Sequence, residues 1–327
     1  MGAVMETTAM ESTPRPAAFA SAGQPDPVIE AQSLTKYYGR DRGIEDVTFT
    51  VHRGEIFGLL GPNGSGKTTT LRVLLNFVRP TRGRVTVFGC EPWCWRAARD
   101  RQRIGYLPGE LVLPEHDTGA WLLDFYAQLS RTPPVLRAEV CELLKLSASE
   151  LRRPVRKYSR GQRQKLGLVQ ALQHNPELLL LDEPTTALDP LAQEALYRLL
   201  FELKQRGTTI VFSSHVLGEV LRLCDRVAVL KEGKLATVFE VSSFLLEAPR
   251  LVFLRFAEDA ARVALAQVSW CEFVREEPPW SVYRVAPKDL PVLLQLLSRL
   301  AVADLRIESA AQQALLELYR SSSEGGA

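Results

Sequence analysis

Gly61-Pro62-Asn63-Gly64-Ser65-Gly66-Lys67-Thr68 has the spacing G-x-x-x-x-G-K-[ST], and its residue types are those needed to hold a row of phosphates. Glycines let the backbone curl until its N–H groups face inward, Lys67 adds a point charge, and the Thr68 hydroxyl suits a hard cation such as Mg2+. Thr69 extends this candidate set. A second constellation is Leu178-Leu179-Leu180-Leu181-Asp182-Glu183, which reads as a strand buried on both faces that ends in two carboxylates. Asp182 is suited to Mg2+, and Glu183 is suited to accept a proton from an attacking water. Alone, such a pair is equally an acidic turn; beside a phosphate loop it becomes chemistry. Third, Tyr158-Ser159-Arg160-Gly161-Gln162 opens a helical pattern reaching about His174, and Ser159 with Gln162 satisfies the S-x-x-Q capping box. That explains the helix start, and the same helix end also offers a site for a terminal phosphate.

These groups need a scaffold that brings strand ends together. Ile56 to Leu60 reads as the strand entering the phosphate loop, and Leu71, Leu74, Leu75 and Val78 mark the helix leaving it. Strand and helix patterns alternate from Val28 to about Val241, which predicts an α/β fold with some antiparallel β at its start. Between Asp117 and Lys145 the periodicity is helical without strands, which predicts an inserted helical subdomain at about 110–160. Past Pro249 the order is strand (Leu251 to Phe256), helix (Asp259 to Val268), strand (Glu272 to Glu276), strand (Ser281 to Val285), helix (Lys288 to Leu300) and strand (Asp304 to Glu308), then a last helix through Tyr319. This βαββαβ order predicts a small α+β, ferredoxin-like unit over 249–320. Residues 1–27 read as a disordered leader and 321–327 as a frayed tail.

Composition narrows the partners. The 327 residues are 46% hydrophobic, and 40 Lys plus Arg against 38 Asp plus Glu leave a net charge of +2, so bulk electrostatics do not call for nucleic acid. No apolar stretch reaches the roughly 18 to 20 residues that span a bilayer. Five scattered cysteines predict free thiols in a reducing compartment. Cys90 and Cys94 lack a second metal-spaced pair, and His52, His116 and His174 are isolated, so no zinc site is expected. Trp93, Trp95 and Trp121 are expected in core or interface packing. The basic runs Arg96 to Arg103 and Arg152 to Lys157 are expected to be solvated faces.

The ordered set resembles the ATP-binding subunits of ABC transporters: the phosphate loop, YSRGQ at Tyr158, LLLLDEP, the Ala187-Leu188-Asp189 turn and His215 follow in that family's order. The tail, with Ile307-Glu308-Ser309 before a Leu-rich helix, resembles that of the daunorubicin-resistance-type exporter branch. The resemblance implies a mixed sheet with a helical subdomain, ATP and Mg2+ as cofactors, and hydrolysis to ADP and phosphate. It implies that Tyr38 stacks on adenine, with Tyr37 as a rival, that His215 contacts the γ phosphate, and that Asp189 touches the opposite subunit. Two subunits would pair head to tail, so that Ser159, Arg160, Gly161 and Gln162 of one close the phosphate loop of the other. The resemblance further implies a separate transmembrane permease contacted by the helical insert, a peripheral place on the cytoplasmic face of the plasma membrane, and export of a hydrophobic drug, lipid or glycan. No nucleic-acid partner is expected, although a soluble ABC-type ATPase acting on nucleic acid or ribosomes is the alternative. Two departures stand out. Gly109, followed by Glu110, replaces the usual glutamine, which makes Glu110 a candidate Mg2+ ligand and a low-turnover binding module a further alternative. Arg160 replaces a usual glycine.

Overall fold

The computed structural model describes residues 26–95, 97–257, 265 and 268–321. Two strands, β1 (Pro27–Tyr38) and β2 (Asp41–His52), form an antiparallel pair with β4 (Arg82–Val87) on the other side of β1. The first strand begins at Pro27, the last residue of the expected leader; residues 1–25 lie outside the described residues.

The central sheet has six strands in the order β5 (Ile104–Leu107), β6 (Leu178–Asp182), β7 (Thr209–Ser214), β3 (Ile56–Leu60), β8 (Arg226–Lys231) and β9 (Lys234–Glu240). All neighbours are parallel except the antiparallel edge strand β9. Every residue of β3, β6 and β7 is buried, which is why β3, the four leucines of β6 and Ile210 to Phe212 of β7 are apolar without alternation. Each Leu of β6 removed from water contributes about 1.5–3 kcal/mol, which anchors the strand that delivers Asp182. Because parallel strands share a direction, the carboxyl ends of β3, β5, β6 and β7 open on one edge, where open α/β sheets bind ligands.

The predicted insert is helical: α3 (Gly119–Ser130) and α4 (Arg137–Leu143), with the single-turn helix α5 (Ala148–Leu151), precede α6 (Arg160–Leu172). Leu122, Leu123, Val140 and Leu144 pack with Leu166 and Val169 of α6, joining the insert to the main core. Of the three tryptophans expected in core or interface packing, Trp93 packs against the core. Trp121 is half-exposed and stacks on exposed Phe125 at 5.2 Å, and Trp95 is also exposed, so neither is a core residue.

Beyond Val241 the chain forms a second sheet in the order β11 (Cys271–Glu277), β12 (Trp280–Val285), β10 (Arg250–Phe256) and β13 (Val302–Ser309), antiparallel throughout. Counting from β10 this is the order 4-1-3-2 of a split βαβ unit. The second of its helices is α10 (Leu290–Leu297); the helix expected over 259–268 falls largely outside the described residues. The C-terminal helix α11 (Ala311–Ser321) returns to the first unit, where Leu315 is buried in the main core. Of the expected tail, only Ser321 is described, as the last residue of this helix.

The free-thiol expectation fails at one pair. Cys90 and Cys94 form a disulfide, while Cys141, Cys224 and Cys271 are free. Val87 bridges Cys90 as the chain turns out of β4, and the following turn brings the two cysteine Cα atoms within 6.6 Å. A four-residue separation in sequence carries no sign of that turn. Among the described residues no helix is long and apolar enough to cross a membrane.

Candidate functional site

The loop from Gly61 to Gly66 joins β3 to α1 (Lys67–Leu74). Gly66 has φ +102, and a Cβ there would lie 2.5 Å from Ile44 Cγ2, so only glycine fits both the conformation and the space. Lys67 is 4% exposed and is folded back over the loop. Its ammonium donates to the carbonyls of Gly61 at 2.7 Å and Pro62 at 3.1 Å, and lies 3.2 Å from Glu183 Oε1.

Asp182, at the end of β6, is buried and accepts on both oxygens: from the Thr68 hydroxyl at 2.7 Å and from the Ser213 hydroxyl at 2.6 Å. Ser213 also accepts from the Glu183 N–H at 3.0 Å. Glu183 itself has φ +49, a conformation that costs a non-glycine residue on the order of 1–3 kcal/mol and persists only where the surroundings impose it. Its carboxylate is thereby held between two basic groups, with Oε2 3.2 Å from His215 Nδ1. Ser214 completes the corner by donating to Glu219 at 2.5 Å.

These residues open on a cavity of about 790 Å3 lined by Asn63, Gly64, Gly66, Lys67, Thr68 and Thr69, together with Tyr38, Gly109, Glu110, Asp182 and Glu183. The choice between the two tyrosines is visible here. Tyr38 is exposed at the cavity wall with the Lys36 ammonium 5.3 Å from its ring centre, whereas Tyr37 donates its hydroxyl to Glu45 at 2.9 Å. Arg42, Arg72, Tyr106 and Thr186 also line the space; sequence reasoning passed over them because they come from four unrelated segments. Burial and the nearby Asp182 push the Tyr106 phenol up to about 12, so it remains a neutral wall at physiological pH.

Other predicted residues are not brought to this cavity. Ser159 and Gln162 form the expected capping box at the start of α6, and Gln162 donates its amide to Glu150 at 2.6 Å. Gly161 packs against the Ala187 carbonyl, where a Cβ would lie 2.9 Å away. Asp189 caps α7 (Pro190–Gln205) by accepting from the Ala192 N–H at 2.9 Å, a bond that holds its carboxyl below the ordinary value. Of the Tyr158 to Gln162 stretch, only Arg160 lines the cavity of its own subunit. Gly61, Pro62 and His215 face instead a neighbouring apolar cavity of about 360 Å3, closed on its far side by Leu315 and Leu316 of α11.

Phosphate and Mg2+ fit what is present. Ser65 is 2% exposed inside the loop, and its hydroxyl has no hydrogen-bond partner among the described residues, a donor that a phosphate oxygen would satisfy. The hydroxyl of Thr68 and the carboxylate of Asp182 are the hard oxygen donors that Mg2+ prefers. A glycine loop at a helix start, a buried lysine, and an Asp–Glu pair at the adjoining strand end define a nucleotide-binding cassette of the phosphate-loop class.

Comparison with known proteins places the cassette more closely. The ABC transporter family profile matches residues 44–186. The chain is 42% identical over 197 residues to an ABC transporter ATP-binding protein of a Nostoc species, a match covering 59% of this chain and 58% of that protein. It is 37% identical to the bacitracin transport ATP-binding protein of Bacillus licheniformis, covering 64% of this chain and 68% of that one. With the Nod factor export ATP-binding protein I of Burkholderia orbicola the identity is 38%, with coverage of 63% and 68%. Among solved structures, the ATP-binding subunit of an ABC transporter superposes with a TM-score of 0.61 at 29% identity, over 66% of this chain and 91% of that one. A dimeric bacterial ABC transporter cassette gives 0.58 at 25% identity, with coverage of 65% and 98%. The chain belongs to the ATP-binding subunits of ABC transporters.

Proposed function

We propose that this chain hydrolyses ATP and thereby powers a separate membrane permease. The observation that carries the reading is Glu183, a strained carboxylate fixed between Lys67 and His215 and adjacent to the Thr68–Asp182 pair. In the proposed reaction a water oxygen bonds to the γ phosphorus as the bond to the bridging oxygen breaks, Glu183 takes the water proton, and ADP and phosphate leave. Lys67 and the loop N–H groups hold the phosphates, Tyr38 lies along the adenine, and His215 orients the γ phosphate. Mg2+, held by Thr68 and Asp182, would offset phosphate charge.

The unit of action is a head-to-tail pair, of two copies or of this chain with a related subunit. Ser159, Gly161, Gln162 and Asp189 lie away from their own subunit's cavity, as residues that serve a partner must. We take 28–241 as the ATP-binding unit and 249–320 as an accessory unit. The insert offers the permease contact: Trp121, Phe125 and Leu129, at helical spacing on α3, are exposed. That exposed surface supports a peripheral place on the cytoplasmic face of the membrane, and the names of the bacitracin and Nod factor relatives favour export of a drug, lipid or glycan.

The test is steady-state phosphate release together with ATP affinity. Lys67→Ala is expected to abolish measurable ATP binding, because charge neutralisation at the phosphates is lost; unchanged affinity would remove the loop from the mechanism. Affinity purification from solubilised membranes is expected to recover a polytopic protein with the chain.

A further inference from the structure

The nucleotide cavity carries three full charges that no other described residue partners: Arg72 on α1, and two more at the positions that depart from the family pattern. Arg160 is the first residue of α6, and its guanidinium makes no ion pair or hydrogen bond among the described residues. Nothing in the helix accounts for it. The capping box of Ser159 and Gln162 already satisfies the helix start, and a cation there faces the positive end of the helix dipole, an unfavourable place. One turn on, Arg163 differs in having Glu115 at 3.3 Å. The second charge at these positions is Glu110, whose carboxylate also has no partner among the described residues, although Asp182 is bonded twice and Glu183 faces Lys67 and His215.

Arg160 and Glu110 line the same two adjoining spaces, the cavity of about 790 Å3 and a neighbour of about 390 Å3 that runs between α6 and the segment after β5. Opposite charges facing one water-filled space attract through it, and a carboxylate at the mouth of a phosphate site repels its ligand unless a cation answers it.

We propose that Arg160 serves the nucleotide site of its own subunit as a positioning residue, answering the negative charge of Glu110 so that a phosphate chain enters beside it. This deepens the ATP reading and rests on it. The role differs from that of Ser159 and Gln162, which do not line the cavity in which Arg160 takes part. The departures at positions 110 and 160 are then one feature, a charge paired with its compensation.

The test is a binding cycle with a non-hydrolysable ATP analogue and Mg2+, at a concentration where light scattering shows single chains, so that no partner's arginine contributes. Arg160→Ala is expected to weaken binding about five- to tenfold, the scale of one partly screened charge. Glu110→Gln is expected to bind as well as the wild type or better. The double variant is expected to lie within about twofold of Glu110→Gln, a rescue that loss of structure alone does not produce. Raising KCl from about 0.05 M to about 0.5 M is expected to shrink the Arg160→Ala defect. Equal binding by Arg160→Ala and the wild type, or a double variant as weak as the single one, overturns the proposal and leaves the ATP reading standing. A wild-type chain that binds no nucleotide overturns both.

Discussion

Gly109 is a small residue at a crowded place. A Cβ there would lie 3.2 Å from Asp182 Oδ2 and 3.3 Å from its Cγ, so any side chain must displace the carboxylate by a few tenths of an ångström. Gly109→Gln brings an amide to that edge of the cavity, where it can orient a water. Its expected effect is a rise of about fivefold in kcat for ATP hydrolysis, the equivalent of one hydrogen bond of about 1 kcal/mol. Steady-state phosphate release checks it, and an unchanged kcat would assign that work to Glu110. The residue scale also shows where spacing along the chain stops informing. Asp182 and Thr68 each carry a local motif, but the Ser213 hydroxyl that fixes the other Asp182 oxygen comes from a neighbouring strand 31 residues on, with nothing local to mark it. The disulfide of Cys90 and Cys94 was hidden similarly, by a turn that composition does not encode.

At the scale of elements, α6 links the signature stretch at its start to the sheet at its end. His174, just past that end, is half-buried with Nε2 3.3 Å from the Ile104 carbonyl at the start of β5. Burial holds its pKa below the ordinary value, with the hydrogen bond to Ile104 opposing. The folded chain therefore takes up this proton at lower pH than the unfolded chain, whose histidine titrates near about 6.5. Between those two values the unfolded state holds more protons, so the contribution is fully present above about 6.5 and is lost as pH falls through the folded pKa. His174→Gln removes the titration while keeping an amide that can reach the carbonyl. Melting temperatures of both proteins at pH 7.5 and 5.5 are the check: the wild type is expected to lose more than the variant on acidification, and parallel losses would exclude the linkage. Strands and helices themselves were largely readable, because β3 and the four leucines of β6 run apolar without a break and Ser159 with Gln162 announces a helix start that its side chain does cap. Less readable were sheet order and the return of α11, which depend on contacts between segments far apart in sequence.

Across the whole molecule, the two halves of the proposed catalytic machinery do not share one cavity. Lys67, Thr68, Asp182 and Glu183 meet in one cavity, whereas Ser159 and Gln162 sit at the far lip of the helical insert, committed to their own cap and to Glu150. In the proposed pairing, a single chain presents a phosphate-binding half and a closing half to a second chain, and bound ATP joins them. Glu183→Gln isolates this coupling. The amide keeps the size of the side chain and hydrogen-bonding atoms toward Lys67 and His215, but it is too weak a base to take a proton from water. Nucleotide affinity is expected to equal that of the wild type or exceed it by up to about threefold, because removing the Lys67 ion partner and losing one negative charge beside the phosphates both favour binding. Turnover is expected to fall by at least about a hundredfold, the usual contribution of a positioned base. With hydrolysis blocked, the ATP-bound pair cannot release, so light scattering with MgATP is expected to show twice the mass of one chain, returning to a single chain when ATP is removed. A variant that turns over at the wild-type rate would take the base role from Glu183. Full nucleotide occupancy with no change in mass would leave ATP binding intact and refute the pairing of two copies.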